Sequence, residues 1–210
     1  MDLNNGLDFE KIDPITTVIN SVDTDGSFLL NNFLSKIIRQ KGSFIIFLTF
    51  SQKMTHYKSI QGKLANSNNL SNLMEKGEFH LIDCMQMCKK VMYQNQIELR
   101  IVLNEIFLNI KTLADKFDFN EKKMYIFLDD LSIGHLIGMK DFDQLEFLSK
   151  IRSINENIRL VINFQGFDTN QTFINDLAHV ADLYVKIDKL KTGYSKEIDG
   201  LVSENFVSFT

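Results

Sequence analysis

Apolar positions in this chain come in two alternating forms, short continuous runs and stripes at three- and four-residue spacing. Residues 15–22, ITTVINSV, are rich in β-branched types and end in the turn-forming cluster 23–27, which predicts a first strand. In the helix that follows, Leu30, Phe33, Leu34, Ile37 and Ile38 form one stripe, leaving Asn31, Asn32, Ser35, Lys36 and Arg39 on the wetter side. Lys41-Gly42 should end it, because glycine takes a left-handed cap without strain. FIIFLTF at 44–50 is apolar on both faces, as a strand is when helices cover a parallel sheet on two sides.

The alternation continues to the end of the chain. Residues 56–65 predict a helix, ANSNNLSN at 65–72 an irregular break, and 78–82 a short strand. The stretch 97–117 has no Gly or Pro and predicts a helix, although Ile97, Leu99, Ile101 and Leu103 alternate as in a strand. MYIFLDD at 124–130 is a buried strand ending in two carboxylates. Phe142, Leu145, Leu148, Ile151 and Ile154 step by threes along a helix, RLVINF at 159–164 is again a strand, and 171–181 a helix. DLYVKI is followed by GYSKEIDGLVSENF, where Asp199-Gly200 between β-prone arms is a hairpin signal. Strands alternating with covering helices predict an α/β fold with a mainly parallel sheet and an antiparallel hairpin at one edge. No repeat and no Pro-rich linker interrupts the pattern, so residues 1–210 read as a single domain.

Composition narrows the classes. At 44% apolar and 24% charged, 210 residues can bury one sizeable core, and wholesale disorder is excluded. The start MDLNNGLDFE is acidic and lacks an apolar centre, unlike a secretory signal or a transit peptide. The longest apolar run is far below the roughly 18 residues that span a bilayer. These features predict a soluble intracellular protein, of the cytoplasm or the nucleus, with no membrane partner. A net charge of −4 supplies no global attraction for RNA or anionic lipid, so a nucleic-acid role would depend on partners or on a local basic patch. Cys84 and Cys88 are too few for a disulfide framework, and their C-x3-C spacing would put them on one helical face as reduced packing thiols. His80 extends the pattern to H-x3-C-x3-C, but HLID reads as strand, which breaks the spacing a metal site needs. Met85, Met87 and Met92 read as adaptable core or interface filling. No Ser or Cys stands at a nucleophile elbow, and the histidines are scattered, so a hydrolytic triad has no support.

Two sites carry candidate chemistry. The first is the strand–turn–helix SVDTDGSFLLNNFLSKII at 21–38, where a phosphate-binding loop would sit. A Walker loop needs G-x-x-x-x-G-K-[ST], whose backbone N–H groups, Lys and hydroxyl hold phosphates and Mg²⁺. Here Gly26 alone is in register: Ser21 stands at the first Gly, Ser27 at the Lys and Phe28 at the Ser/Thr. Asp25 is placed to accept from the first free N–H groups of the helix, the donors a phosphate would use. With Asp23 beside it, each carboxylate opposes a triphosphate by about 1 kcal/mol in water and more when desolvated. An ordinary capped turn is the simpler reading, and a surviving nucleotide pocket the alternative. The second is Asp129, which follows four apolar residues, 125–128, as in a Walker B strand. Capping of a neighbouring turn by Asp129, with Asp130 solvated, is the simpler account. Lys189 and Lys191 in KLKTG place two cations before the final hairpin, by default a solvated strand entry.

Three stretches resemble the family of the sixth subunit of the Elongator complex: TDGSFLLNNFLSKIIRQKGSFIIFLTFSQKMTHYKSIQGKLA at 24–65, YIFLDDLSIGHLIGM at 125–139 and LKTGYSKEIDG at 190–200. Order and spacing match over most of the chain, but the chain stops soon after SENFVSFT, short of the longer C-terminal segment of larger members. The resemblance implies a RecA-like three-layer fold that has lost the Walker A lysine. It then implies no catalysis and no cofactor, with Ser21, Asp25, Gly26, Ser27, Phe28 and Asp129 as degenerate nucleotide-site positions. It further implies assembly with the fourth and fifth Elongator subunits into a hexameric ring, two copies of each, that binds tRNA and supports wobble-uridine modification. KLKTG is also similar to the K-x-R-G stretch of circadian-clock-type ring ATPases, which touches nucleotide held by the neighbouring subunit. Lys189 and Lys191 would then meet an anion at a subunit boundary. An active ring ATPase with a degenerate nucleotide site is the alternative.

Overall fold

A computed structural model describes residues 15–20, 24–64, 66–93, 99–120, 122–166, 171–188 and 201–206. Strand β1 (Ile15–Asn20) leads into helix α1 (Ser27–Arg39) and β2 (Ser43–Thr49). Then come α2 (Met54–Lys63), α3 (Ser67–Glu75), β3 (Phe79–Asp83), α4 (Cys84–Tyr93), α5 (Arg100–Ala114) and β4 (Lys123–Asp129). The chain continues with α6 (Leu131–Leu136), α7 (Asp141–Arg152), β5 (Ile158–Gln165), α8 (Gln171–Val180), β6 (Leu183–Asp188) and β7 (Leu201–Phe206).

The strands form one sheet in the order β3-β2-β4-β5-β1-β6-β7. All pairings are parallel except the last, where β7 lies antiparallel on β6 with Leu183 opposite Phe206 and Asp188 opposite Leu201. The edge strand expected from the terminal pattern is therefore present, while the Asp199-Gly200 turn signal lies outside the described residues. The side-chain alternation of the pleat separates two cores. Ile45 and Phe47 of β2, Tyr125 and Phe127 of β4 and Val161 of β5 meet α1, α2 and α3. Ile46, Leu48, Met124, Ile126, Leu128, Leu160 and Ile162 meet α4 to α8. Strands buried on both faces explain the continuous apolar runs, and two helical layers on a central sheet make this the RecA-like three-layer fold.

Two differences from the sequence reading, the break at 65–72 and the unseen α6, have physical causes. The expected break at 65–72 is instead largely α3: Leu70 and Leu73 form a buried stripe on α1 and β3, and packing overrides the poor helix propensity of Asn and Ser. The helix expected over 97–117 is present as α5, and the strand-like alternation there does not set its faces, Ile101 facing out while Val102, Leu103, Ile106 and Ile110 are buried. The six-residue α6, directly after β4, has too little periodicity to be seen in the sequence. Gly42 does adopt the left-handed conformation after α1, with φ of 77°. Among the described residues no helix is long and apolar enough to cross a membrane.

Parallel pairing sets the working end. The carboxyl ends of β4, β5 and β1 lie side by side, so Asp129, Asn163 and the turn into α1 share one rim of the sheet.

Candidate functional site

The turn into α1 is closed by its own side chains. Gly26 occupies the cap position with φ −81° and ψ −7°, and Asp25 stands one residue further out. Asp25 nevertheless takes the first helical donor: its carboxylate accepts from the Ser27 backbone N–H at 2.8 Å and from the Ser27 hydroxyl at 2.7 Å. Gly26 O accepts from Leu29 N–H, and Asn31 Nδ2 donates to Ser27 O at 2.8 Å, so side chains hold both ends of the first turn. The hydroxyl of Thr24 donates to Ile187 O, tying the turn to β6. Phe28, at the position where a Walker loop has its hydroxyl, is 41% exposed. Ser21, Lys189 and Lys191 lie outside the described residues.

The two carboxylates at the end of β4, Asp129 within the strand and Asp130 just beyond it, have exchanged the roles their sequence suggests. Asp129 is in phase with Tyr125 and Phe127, so it faces the α1–α3 layer, where it is 4% exposed. The Tyr57 hydroxyl of α2 and the Ser51 hydroxyl (3.0 Å) both donate to Asp129 Oδ2, and Asn163 Nδ2 of β5 donates to Oδ1 at 3.2 Å. Thr49 Oγ1 lies 3.0 Å from the Tyr57 hydroxyl. Burial first and the Asp129 charge second raise the Tyr57 phenol above its ordinary value, so it remains a donor at neutral pH. Asp130, the first residue after the strand, caps α6, accepting from Ser132 N–H at 3.0 Å and from its hydroxyl at 2.6 Å. The expected solvated Asp130 is thus the capping residue, and the expected cap, Asp129, is the buried one.

Burial raises the Asp130 carboxyl above its ordinary value, against the lowering effect of the Ser132 bonds. A group raised on folding contributes stability that is present below its unfolded pKa, about 3.9, and is lost as pH rises through its folded value. Asp130→Asn keeps the capping acceptor without the charge, so its stability relative to the native protein should increase from pH 4 towards pH 7. Asp130→Ala should lose about 1 kcal/mol of cap at either pH. Urea unfolding of the three proteins at both pH values checks this, and a pH-independent difference between Asn and Asp would contradict it.

A second polar cluster holds the α1–α3 layer together. Gln61 of α2 donates to Asn31 O at 3.1 Å, and Asn66 Nδ2 meets Ser35 Oγ and Gln61 Oε1. Arg39 Nε donates to Asn66 Oδ1 at 2.8 Å and its guanidinium to Leu64 O. Tyr57 and Gln61, four residues apart, are therefore the buried side of a helix with little apolar character. They explain the motif THYKSIQGKL: one residue seals Asp129 and the other the α1–α3 joint. The sequence reading missed Tyr57, Ser51 and Asn163. Strand parity could have placed Asp129 on this face, but nothing in the spacing names its partners. Cys84 and Cys88 share a face of α4 in the core, and burial raises Cys84 well above its ordinary value and Cys88 to about 11, which keeps both as inert thiols. His80 lies on β3, held by Gly77 O and packed on Phe44. Among the described residues no group of three His, Cys, Asp or Glu is arranged for a metal ion.

Chemically, both acidic positions of the rim are already engaged by this chain. A polyphosphate at α1 would have to displace Asp25, and a cation at Asp129 would compete with three internal donors.

The family model described as Elongation complex protein 6 matches residues 2–208. Elongator complex protein 6 of Homo sapiens is 24% identical over 205 residues, covering 88% of this chain and 76% of that protein. The Xenopus laevis protein of the same name is 24% identical over 204 residues with the same coverage, and the Drosophila melanogaster one 17% identical over 201 residues, covering 93% and 79%. Among solved structures, an uncharacterized Pyrococcus horikoshii protein in complex with an unknown peptide shares the fold, with a TM-score of 0.60 at 12% identity over 91% of this chain and 83% of that one.

Proposed function

Since the chain belongs to the Elongation complex protein 6 family, we propose that it is a non-catalytic RecA-like subunit of the Elongator complex. In this reading it joins the fourth and fifth subunits in a hexameric ring, two copies of each, which binds tRNA and supports wobble-uridine modification. The carrying observation is the rim itself. Asp25 occupies the helix start, the Lys of a phosphate loop is replaced by Ser27, and Asp129 is consumed by Tyr57, Ser51 and Asn163. Such a site is built for stability rather than for holding nucleotide. Lys189 and Lys191 would supply cations at a subunit boundary.

The surface supports assembly. Of the large apolar side chains exposed among the described residues, Met92, Ile101, Leu108, Leu136, Phe142 and Val180 all belong to α4–α8. Between α7 and α8 lies an open groove of about 770 Å³ that Phe142, Leu145 and Val180 help to line. Exposed apolar residues concentrated on one side fit a surface that a partner covers.

Co-expression with the fourth and fifth subunits tests the proposal, with mass measurement of the purified complex. A 2:2:2 hexamer is expected. Leu108→Asp combined with Phe142→Asp, both at exposed positions, should weaken assembly at least tenfold while shifting the stability of the isolated chain by under about 1 kcal/mol. Titration calorimetry of the isolated chain should give no heat with ATP. Micromolar ATP binding would establish the ATPase reading instead.

A further inference from the structure

Charge is distributed unevenly over the two layers. Residues 27–76 hold seven Lys and Arg against one acid, Glu75, a net +6, whereas the other described residues hold 12 Lys and Arg against 16 Asp and Glu, a net −4. That segment is α1, β2, α2 and α3, whose three helices pack against one another on one face of the sheet. Elsewhere some cations are paired, Arg100 with Asp143 and Glu146, Lys122 with Glu78, Lys150 with Glu146 and Arg152 with Asp182, and acids outnumber cations there. On the α1–α3 face, Lys41, Lys53, Lys58, Lys63 and Lys76 are exposed and have no acid within ion-pair distance among the described residues. Arg39 spends its donors on Asn66 and Leu64 O rather than on a carboxylate.

We infer that the α1–α3 face is the surface through which this subunit grips the sugar–phosphate backbone of a folded RNA, an inference that rests on the tRNA-binding reading above. A net +6 on these helices, with five exposed lysines that have no ion pair among the described residues, favours a polyanion as partner. Composition separates RNA from a protein partner. Protein interfaces are depleted in Lys and rich in aromatic residues at their centre. This face has the reverse balance, with Phe28 its single exposed large apolar side chain among the described residues. Exposed Ser59, Asn68, Asn69 and Asn72 add neutral hydrogen-bonding groups of the kind that contact phosphate and sugar. Phe28 and His56 are its exposed rings. A row of aromatic platforms for splayed bases is lacking among these residues, so backbone contact, not base stacking, is the mode of recognition.

The test uses the assembled ring, not the isolated chain. Lys53→Gln, Lys58→Gln and Lys63→Gln are combined in one variant. Lys111→Gln, Lys116→Gln and Lys123→Gln, exposed positions outside this face, form a control of equal net charge. Probes are an in vitro transcribed tRNA and a 20-nucleotide oligouridine, titrated from 50 to 200 mM salt. The first variant should assemble normally and lose at least about tenfold in tRNA affinity at 50 mM salt. Its plot of log K against log salt should flatten by about 2, because each lost phosphate contact removes about 0.7 to 0.9 from the slope. Oligouridine binding should fall less, and the control should stay within about twofold. Equal losses in both variants, or none in either, would overturn the inference, as would failure of the first variant to assemble, which would make the face a subunit interface. A native ring that binds tRNA regardless of these lysines refutes only the assignment of the face. A native ring that binds no tRNA refutes the proposed function with it.

Discussion

Asp129→Ala is expected to destabilise the isolated chain by about 3–5 kcal/mol, a large share of the 5–15 kcal/mol that holds a domain together. The loss comes from donors rather than from the missing carboxylate alone. Tyr57 and Asn163 are buried, and each would lose its carboxylate acceptor, costing about 1–3 kcal/mol apiece. Ser51 is exposed and can turn to water. Tyr57→Phe removes one bond to a charged acceptor and should cost about 1.5–3 kcal/mol. The same change made in the Asp129→Ala background should cost much less, because the two groups act as a pair. Denaturant unfolding of the four proteins measures that coupling. A carboxylate kept free for a cation behaves oppositely, since its removal would abolish cation-dependent activity and leave stability nearly intact. An Asp129→Ala protein within about 0.5 kcal/mol of native stability would therefore overturn the sealed-site description.

Asn66→Ala should be nearly as severe, at about 2–4 kcal/mol, although the residue sits in a stretch that looks like a loop. Its amide is 1% exposed and serves Ser35, Gln61 and Arg39 at once. Truncation leaves Gln61 Oε1 and Ser35 Oγ buried without this donor and the Arg39 guanidinium without its acceptor. The damage should also be local. Hydrogen exchange ought to accelerate first in α2 and α3, which meet α1 through this cluster, while β4 and β5 at the centre of the sheet keep their protection until global unfolding. A loss under about 1 kcal/mol, or uniform acceleration along the chain, would mean that apolar packing of Leu70 and Leu73 alone holds α3 in place.

The elements were legible where one period ran long enough. The stripes of α1 and α7 and the apolar runs of β2, β4 and β5 each identify their element, and Gly42 stops α1 as its conformational freedom allows. The break read at 65–72 and the unseen α6 share a cause: each turns on contacts from distant elements, Leu70 and Leu73 against α1 and β3 in one case, Asp130 and Gln165 N–H in the other.

Hydrophobic period and the residue at position 27 are local properties of the chain, so the alternation of buried strands with covering helices and the lack of a Walker lysine at Ser27 can be read from residues alone. Which of two adjacent acids is buried, and what seals it, was decided only in three dimensions. Pleat parity turns Asp129 towards the α1–α3 layer, but the strand order brings Asn163 alongside, and the packing of α2 brings Tyr57 across 72 residues of chain to meet it. Hydrogen bonds over such separations depend on where elements dock, and docking is a property of the whole core rather than of any segment within it.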